Sequence, residues 1–141
     1  MDKKGFSLIE IIFVLLTITI IITVAVSKVD TALDNTNLTK IKSDIIQIRA
    51  GINLYKNSKI LKNETVTFTS LDDDNEDLFS KVLPTPIKAS QENIAKSWSK
   101  ITDQKYKVFI DNENAIEFMF DTTKYTFDCD IKNTYCEELN L

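Results

Sequence analysis

The N-terminal part of the chain is an apolar run that contains a single charge. Residues 6–26 read FSLIEIIFVLLTITIIITVAV, and Glu10 is the one ionisable side chain among them. A helix of this length spans about 32 Å, and the hydrocarbon core of a bilayer is about 30 Å thick. Lys3 and Lys4 precede the run, and basic residues favour the cytoplasmic side of a membrane. The sequence therefore predicts one membrane-spanning helix with its N-terminus inside.

The amino-acid composition excludes most kinds of catalytic site and metal site. The chain has 141 residues with no His, two Gly and two Cys, which is the length of one small domain. Without His there is no Ser-His or Cys-His pair, two Cys cannot supply a four-ligand zinc site, and two Gly do not build a phosphate-binding loop. A net charge of −4 gives no general footprint for nucleic acid. We therefore expect a protein that is not an enzyme.

Two ordinary explanations of the apolar run are incomplete. A cleaved secretory signal has an apolar region of about 7–15 residues followed by a site of small residues. Ala25-Val26-Ser27 fits such a site, but the run is longer than that and contains a carboxylate. An uncleaved signal anchor fits the length and gives Glu10 no role.

The residues around Glu10 form a motif. Gly5-Phe6-Ser7-Leu8-Ile9-Glu10, after a short Lys-bearing leader and before an apolar helix, resembles the prepilin signature of type IV pilins and pseudopilins. The resemblance extends to about Val26. It implies that a prepilin peptidase cuts between Gly5 and Phe6 and methylates the new N-terminus at Phe6. It also implies that Glu10 pairs with the terminal amine of a neighbouring subunit in a filament.

The chemistry of Glu10 agrees with that implication. A charged side chain at the centre of a membrane helix costs about 2.5–3.5 kcal/mol on insertion scales, so it persists where a partner is available. Cleavage after Gly5 would expose an α-amino group on Phe6, which is largely cationic at neutral pH. Glu10 lies one helical turn from Phe6, so pairing with the amine of its own chain is the alternative.

A second apolar pattern continues the helix. Asn37 fills the one missing step in a series that recurs every three or four residues, which indicates an amphipathic helix: Val29, Leu33, Ile41, Ile45, Ile48, Ile52 and Tyr55. No proline precedes Pro84. The sequence predicts one helix from Phe6 to Asn57, with a membrane part at 6–27 and an amphipathic part at 28–57. Ser27 stands where many pilins have a proline, which leaves the curvature of the helix open.

After the helix, residues 58–104 show no regular pattern, and from Lys105 apolar and polar residues alternate. Residues 58–104 are predicted to be a variable connection, with a short strand at Val66–Thr69 and one or two helical turns at Asp77–Val82. From Lys105 apolar and polar residues alternate around turns at Asp111–Asn114 and Asp121–Thr123, which indicates a three-stranded antiparallel meander. One face of this sheet would be aromatic and would need the apolar stripe of the helix to cover it.

The expected fold is therefore α+β and type IV pilin-like, with a long N-terminal helix packed on a small antiparallel sheet. Residues 1–5 form the leader, and residues 105–141 form the meander with a C-terminal loop. Cys129 and Cys136 bracket that loop on the non-cytoplasmic side, where thiols oxidise, so we predict a disulfide. A redox pair is the alternative, but the spacing is not Cys-x-x-Cys.

Two clusters of charged residues are candidate ligand-binding sites. Asp72, Asp74 and Asp77 are candidate calcium ligands, because Ca²⁺ prefers hard oxygens and some pseudopilins hold calcium in a loop. Asp77 stands where an EF-hand loop needs glycine, so a solvated acidic loop is the favoured interpretation, and no other metal or cofactor is predicted. Lys96, Lys100, Lys105 and Lys107 lie close in sequence and leave nucleic acid binding open, with solvated lysines as the alternative.

Together these features indicate a structural subunit of a type IV pilus or of a type II secretion or DNA-uptake pseudopilus. The resemblance implies four partners: prepilin peptidase, other pilin or pseudopilin subunits, membrane lipid and an inner-membrane assembly platform. It implies a single-pass protein of the inner (cytoplasmic) membrane, with its soluble domain outside the cytoplasm, which later enters a filament. The alternative is a signal-anchored extracytoplasmic binding module.

Overall fold

The protein is α+β, with an N-terminal helix packed on a small antiparallel sheet. The computed structural model describes residues 7–73, 76–130 and 133–139, and of residues 24–35 and 138 only the backbone. The chain divides into two compact units, Met1–Asn35 and Thr36–Leu141. The elements are α1 Leu8–Leu61, β1 Asp77–Leu78, β2 Ile87–Lys88, β3 Trp98–Thr102, β4 Lys105–Phe109, β5 Ala115–Asp121, β6 Thr126–Cys129 and α2 Thr134–Glu138.

Helix α1 ends four residues beyond the predicted end at Asn57, at Leu61. Asn63 has a left-handed backbone with φ of 57°. Its N–H donates to the Ile60 carbonyl at 3.0 Å, and the Glu64 N–H donates to the Lys59 carbonyl at 3.0 Å. This is the Schellman pattern, in which an asparagine takes the position usually held by glycine. The helix therefore stops where its last carbonyls are satisfied, and Asn57 does not interrupt it.

The main sheet has four antiparallel strands in the order β3-β4-β5-β6. The three predicted strands are present as β4, β5 and β6. Tyr106 pairs with Phe118 between β4 and β5, and Phe120 pairs with Phe127 between β5 and β6. Both predicted turns are present. In the second, the Asp121 carboxylate accepts hydrogen bonds from two backbone N–H groups, which hold the pKa of Asp121 below its ordinary value.

Two expectations for residues 58–104 were wrong. Val66–Thr69 is not a strand, and Asp77–Val82 is not helical, because residues 77 and 78 form β1, which pairs with β2. The predicted connection also contains β3, which pairs with β4. The alternation of β3 is hidden by two features: a register irregularity between Lys100 and Thr102, and a lysine at an inward-facing position.

The core is the contact between the helix and the inner face of the sheet. Ile41, Ile45, Ile48 and Ile52, spaced by three or four residues, are each at most 1% exposed. They belong to one buried cluster with the aromatic side chains of the strands, namely Trp98, Tyr106, Phe118, Phe120 and Phe127. The prediction that the helix stripe covers an aromatic sheet face is confirmed for these residues. Burial of each large apolar side chain contributes roughly 1.5–3 kcal/mol.

Polar side chains of α1 tie the helix to the ends of the strands. The side-chain amide of Asn37, the polar residue in the apolar series, donates to the Ile110 carbonyl at 3.0 Å and is buried. The Arg49 guanidinium donates to the Phe127 carbonyl at 2.9 Å and pairs with Asp128 at 2.8 Å. These bonds fix the position of α1 along the sheet, because apolar contacts alone are not directional.

The C-terminus is fixed to the sheet by the predicted disulfide. Cys129 at the end of β6 is bonded to Cys136, which is 3% exposed and lies in α2. The Asn133 side chain caps α2 by accepting a hydrogen bond from the Tyr135 N–H at 3.0 Å. Leu139, 3% exposed, packs into the core cluster. The disulfide therefore holds a short helix whose following leucine is part of the core.

We expect Gly51→Ala to destabilise the protein. A Cβ atom at this position would lie 2.1 Å from the Val82 carbonyl oxygen. Overpacking of this kind costs about 1–3 kcal/mol, although the same change at an exposed helical site stabilises by about 0.8–1.0 kcal/mol. Urea unfolding of the full chain, followed by the fluorescence of its single tryptophan, Trp98, measures the effect. Asn53→Ala, at an exposed site two residues further along α1, is the control that should not destabilise. Equal stability of both variants would contradict the close approach.

Candidate functional site

The N-terminal part of α1 exposes an unusually large apolar surface. Twelve large apolar side chains between Leu8 and Ile22 are exposed, among them Leu8 at 76%, Ile9 at 74% and Phe13 at 68%. Monomeric soluble proteins rarely expose contiguous apolar patches beyond a few hundred Å², and larger ones mark protein or membrane contacts. This segment is therefore the strongest candidate for a functional surface.

Three threonines in this segment satisfy their hydroxyl groups within the helix. Thr17 donates to the Val14 carbonyl at 2.8 Å, and Thr19 donates to the Leu15 carbonyl at 2.8 Å. Thr23 donates to the Thr19 carbonyl at 2.9 Å. Back-bonding of this kind hides a hydroxyl from an apolar environment. These threonines are therefore compatible with the apolar surface around them.

Glu10 is the charged exception in the segment. It is exposed in the first turn of α1, and its N–H donates to the Ser7 carbonyl at 3.0 Å. A carboxylate in the first turn is favoured by the helix dipole, which contributes about 0.3–1 kcal/mol at an exposed site. Among the residues that the structure describes, no basic side chain forms an ion pair with it. The carboxylate is thus open to a partner outside the described part of the chain.

Several predictions on this segment lie outside the described residues. Gly5 and Phe6, the predicted cleavage and methylation sites, are among them, and so is the leader at 1–5. The backbone is helical at Ser27. Within the described ranges, no helix meets the length and apolarity that a membrane crossing requires, so the predicted membrane-spanning helix at 6–27 is not confirmed.

The acidic run is not simply a solvated loop. The Asp72 side chain is fully buried, and its Oδ1 accepts a hydrogen bond from the Lys100 ammonium at 2.9 Å. Ser70 also donates to Asp72 Oδ1, and Lys100 contacts the Asp103 carboxylate at 3.0 Å. The prediction of a solvated loop is wrong for Asp72, because the inward-facing Lys100 of β3 supplies the charge that a buried carboxylate needs.

Electrostatics of this buried pair extend to Tyr106. Burial tends to lower the pKa of Lys100, but the hydrogen bonds that its ammonium donates to Asp72 and Asp103, together with the negative charges of these acids, outweigh burial and raise that pKa. Burial, together with the negative charge of Asp72, raises the pKa of the Tyr106 phenol. A lysine whose folded pKa is raised stabilises the fold at all pH values below its ordinary pKa of about 10.4 and loses that contribution only above it. Lys100 therefore keeps its charge throughout the physiological range.

The candidate calcium ligands do not converge. Asp77 pairs with Lys88 at 2.5 Å across the β1–β2 ladder, and Asp73 pairs with Lys81 at 3.7 Å. Asp74 lies outside the described residues. In the ranges that are described, no group of three or more acidic or cysteine side chains is placed to hold a metal ion. Asp72 and Asp77 thus serve as lysine partners at separate places.

The lysines considered for nucleic acid binding are not a common basic patch. Lys100 is 12% exposed and paired as described, and Lys105 pairs with Glu117 at 3.5 Å on the outer side of the sheet. The Lys107 ammonium lies 5.7 Å from the centre of the Phe109 ring. Mixed charge on a surface does not favour phosphate binding.

Sequence reasoning missed the residues that orient the core. The Trp98 indole N–H donates to Asp44 Oδ2 at 3.2 Å, and Lys40 pairs with the other oxygen of Asp44. Asp44 is not a member of the apolar series of the helix, and yet it is buried. The spacing of Ile41, Asp44 and Ile48 puts Asp44 next to the apolar stripe, which was the available signal.

Comparison of the chain with protein-family models, with curated proteins and with solved structures gives no match.

We expect Lys100→Met to destabilise the fold strongly. Removing one partner of a buried ion pair costs about 3–5 kcal/mol, because the other charge remains buried without compensation. Adding Asp72→Asn to the same chain should recover a large part of the loss. Lys107→Met, at a half-buried lysine on the outer side of the sheet, is the matched control and should change stability by less than about 0.5 kcal/mol. Urea unfolding measures all four proteins, and equal effects of the two lysine variants would contradict the role of the pair.

Proposed function

We propose that the chain is a structural subunit of a type IV pilus or of a related type II secretion or DNA-uptake pseudopilus. The observation that carries the proposal is Glu10, a single carboxylate in an exposed apolar helix, five residues after Gly5. The helix packed on an antiparallel sheet and the disulfide at the C-terminus support it, because they agree with what the motif implies. The function is assembly, and no catalytic step is proposed.

Processing comes first in this proposal. A prepilin peptidase removes residues 1–5 on the cytoplasmic side and methylates the amine of Phe6. Before assembly the segment 6–27 lies in the cytoplasmic membrane, and the soluble unit lies on the other side. The apolar run in the sequence extends from Phe6 to Val26, past the described side chains at both ends, and this length supports the membrane position.

Assembly moves the segment from lipid into a bundle of helices from other subunits, at an assembly platform in the membrane. Little apolar surface enters or leaves water in this step, because lipid and neighbouring helices are similarly apolar. Register therefore depends on specific contacts. A pair between the Glu10 carboxylate and the amine of a neighbouring Phe6 sets the axial offset between subunits, since an unpaired carboxylate in that environment is costly.

A signal-anchored binding module is the second candidate, favoured by one observation. A cleft of about 630 Å³ lies beside β3 and β4, and its lining includes Ser90, Asn93, Ser99 and Lys107. These side chains offer hydrogen bonds to a small polar ligand. In that case the apolar segment is only an anchor, and Glu10 has no role beyond it.

The N-terminus of the membrane-extracted protein tests the processing step. Mass spectrometry should find a chain that begins at N-methylated Phe6, because the proposed peptidase cuts after Gly5 and modifies the new amine. Gly5→Leu should leave the leader attached, and Ser7→Ala is the control that should be processed normally. An intact Met1, or a start at Lys28, would contradict the proposal and favour an anchor or a secretory signal.

Glu10→Ala tests the assembly step. We expect the variant to insert in the membrane as the wild type does and to enter sheared filaments at least tenfold less, since the pairing carboxylate is gone. Thr19→Ala, in the same segment, removes a hydroxyl that is satisfied within the helix and should assemble normally. Quantitative immunoblots of membrane and filament fractions measure both variants. Filament entry equal to wild type would favour the binding module.

A further inference from the structure

A cleft of about 630 Å³ lies beside β3 and β4, and part of its wall is the face of the sheet that α1 does not cover. Ser99 and Lys107 are opposite each other in the β3–β4 ladder, so both side chains lie on that face. Trp98 and Tyr106, their neighbours along the strands, are buried on the helix side. Small-molecule sites typically have volumes of about 300–1,000 Å³, so the cleft is large enough to hold a ligand.

Several polar side chains in the cleft are available to a ligand. Gln91, Asn93 and Ser99 line it, and within the described part of the chain their side chains make no hydrogen bond. The Ser90 hydroxyl, by contrast, donates to the Glu92 carbonyl at 3.0 Å. An amide side chain both donates and accepts hydrogen bonds, which matches the N–H and C=O groups of a peptide. The free polar groups of the cleft therefore suit a peptide backbone.

Lys107 gives the cleft a positive charge that has no acidic partner. Glu117 is opposite Lys107 in the β4–β5 ladder, but its carboxylate lies 3.5 Å from the Lys105 ammonium. Among the residues that the structure describes, no acidic side chain forms an ion pair with Lys107. Its ammonium lies 5.7 Å from the centre of the Phe109 ring, which is itself buried. The cleft thus offers a cation to an anionic group of a ligand.

Asp103 gives the cleft an acidic group at the turn between β3 and β4. The Lys100 ammonium lies 3.0 Å from Asp103 and 2.9 Å from Asp72. One cation therefore serves two carboxyl groups, and the charge of the exposed one, Asp103, is only partly compensated. The Asp103 side chain is 75% exposed and lines the cleft. An exposed acid of this kind is complementary to a cationic group of a ligand.

We propose that this cleft binds a short zwitterionic peptide, with the peptide carboxylate at Lys107 and the peptide ammonium group at Asp103. Lys107 lies opposite Ser99 near the start of β3, and Asp103 follows Thr102 at its end. The strand from Ser99 to Thr102 covers about 10 Å. Three extended residues of a peptide span about the same length. The inference does not depend on the assembly role, because a filament subunit and an anchored module can both carry such a site.

A short peptide fits the cleft better than a phosphate, an uncharged glycan or a free amino acid does. Phosphate sites typically use arginine for bidentate contacts, and the single arginine of the chain, Arg49, pairs with Asp128 outside the cleft. An uncharged glycan would offer no charged group to Lys107 or to Asp103. A free amino acid carries both charges, but it is too short to bring one to each end of the strand.

Binding of triglycine to the detergent-extracted full chain tests the inference. Equilibrium dialysis with labelled peptide should show saturable binding with a Kd on the order of 1 mM, as expected for a ligand of this size. N-acetyltriglycine lacks the amine and triglycinamide lacks the carboxylate, so each should bind at least about threefold more weakly. Equal affinities for the three peptides, no saturable binding up to about 50 mM, or tighter binding of the uncharged glycan maltotriose would each overturn the inference.

Two variants assign the charged ends of the cleft. Lys107→Met should bind triglycine and triglycinamide equally, because the contact to the carboxylate is gone. Asp103→Asn should bind triglycine and N-acetyltriglycine equally, because the contact to the amine is gone. Lys62→Met, at an exposed lysine that directly follows α1 and lies outside the cleft, should keep both preferences. The urea midpoint of each variant shows that it is folded, and a folded variant that keeps the preference it should lose would contradict the assignment.

Discussion

Packing of four isoleucines on one aromatic sheet face is the interaction on which the folded unit depends. Ile41, Ile45, Ile48 and Ile52 are buried against the strands. Phe79, in the segment between the helix and the main sheet, packs on Trp98 and Phe127 in the same cluster. A sheet of four short strands needs such a partner layer to be stable. Polar contacts then fix the position of the helix along the sheet, through Asn37 at one end and Arg49 further on. The close approach at Gly51 belongs to the same contact, because the helix there meets the Val82 backbone directly.

One side of α1 covers the sheet and the other side is exposed. The two sides differ in composition. The inner stripe is aliphatic and packs on aromatic rings of the sheet. On the exposed side of α1 between Thr39 and Leu61, Lys40 is the one charged residue. The buried charges form an ion pair, in which Lys100 of β3 neutralises Asp72. One small unit therefore combines an apolar core with a buried ion pair in which Asp72 Oδ1 accepts hydrogen bonds from Lys100 and Ser70.

Local periodicity was enough to predict α1 and the three strands from Lys105, because each depends on neighbours in sequence. The disulfide was predicted on a different ground, the expected position of the two cysteines on the oxidising side of a membrane. It was not enough for β3, whose inward lysine breaks the alternation and is acceptable only because Asp72, distant in sequence, neutralises it. The same pair explains why Asp72 was taken for a solvated residue. For the candidate site, the sequence was enough to single out Glu10 and the apolar segment. The uncharged exposed side of α1 could not be recognised until the structure showed which helix residues the sheet covers.

The bond between Cys129 and Cys136 also changes how the end of the chain carries load. Tension applied beyond residue 136 passes through the two sulfur atoms into β6 and bypasses residues 130–135. Those six residues, which would otherwise release roughly 20 Å of extended chain, add no length while the bond is intact. A reducing environment would restore that slack, so the oxidised protein is the mechanically shorter one.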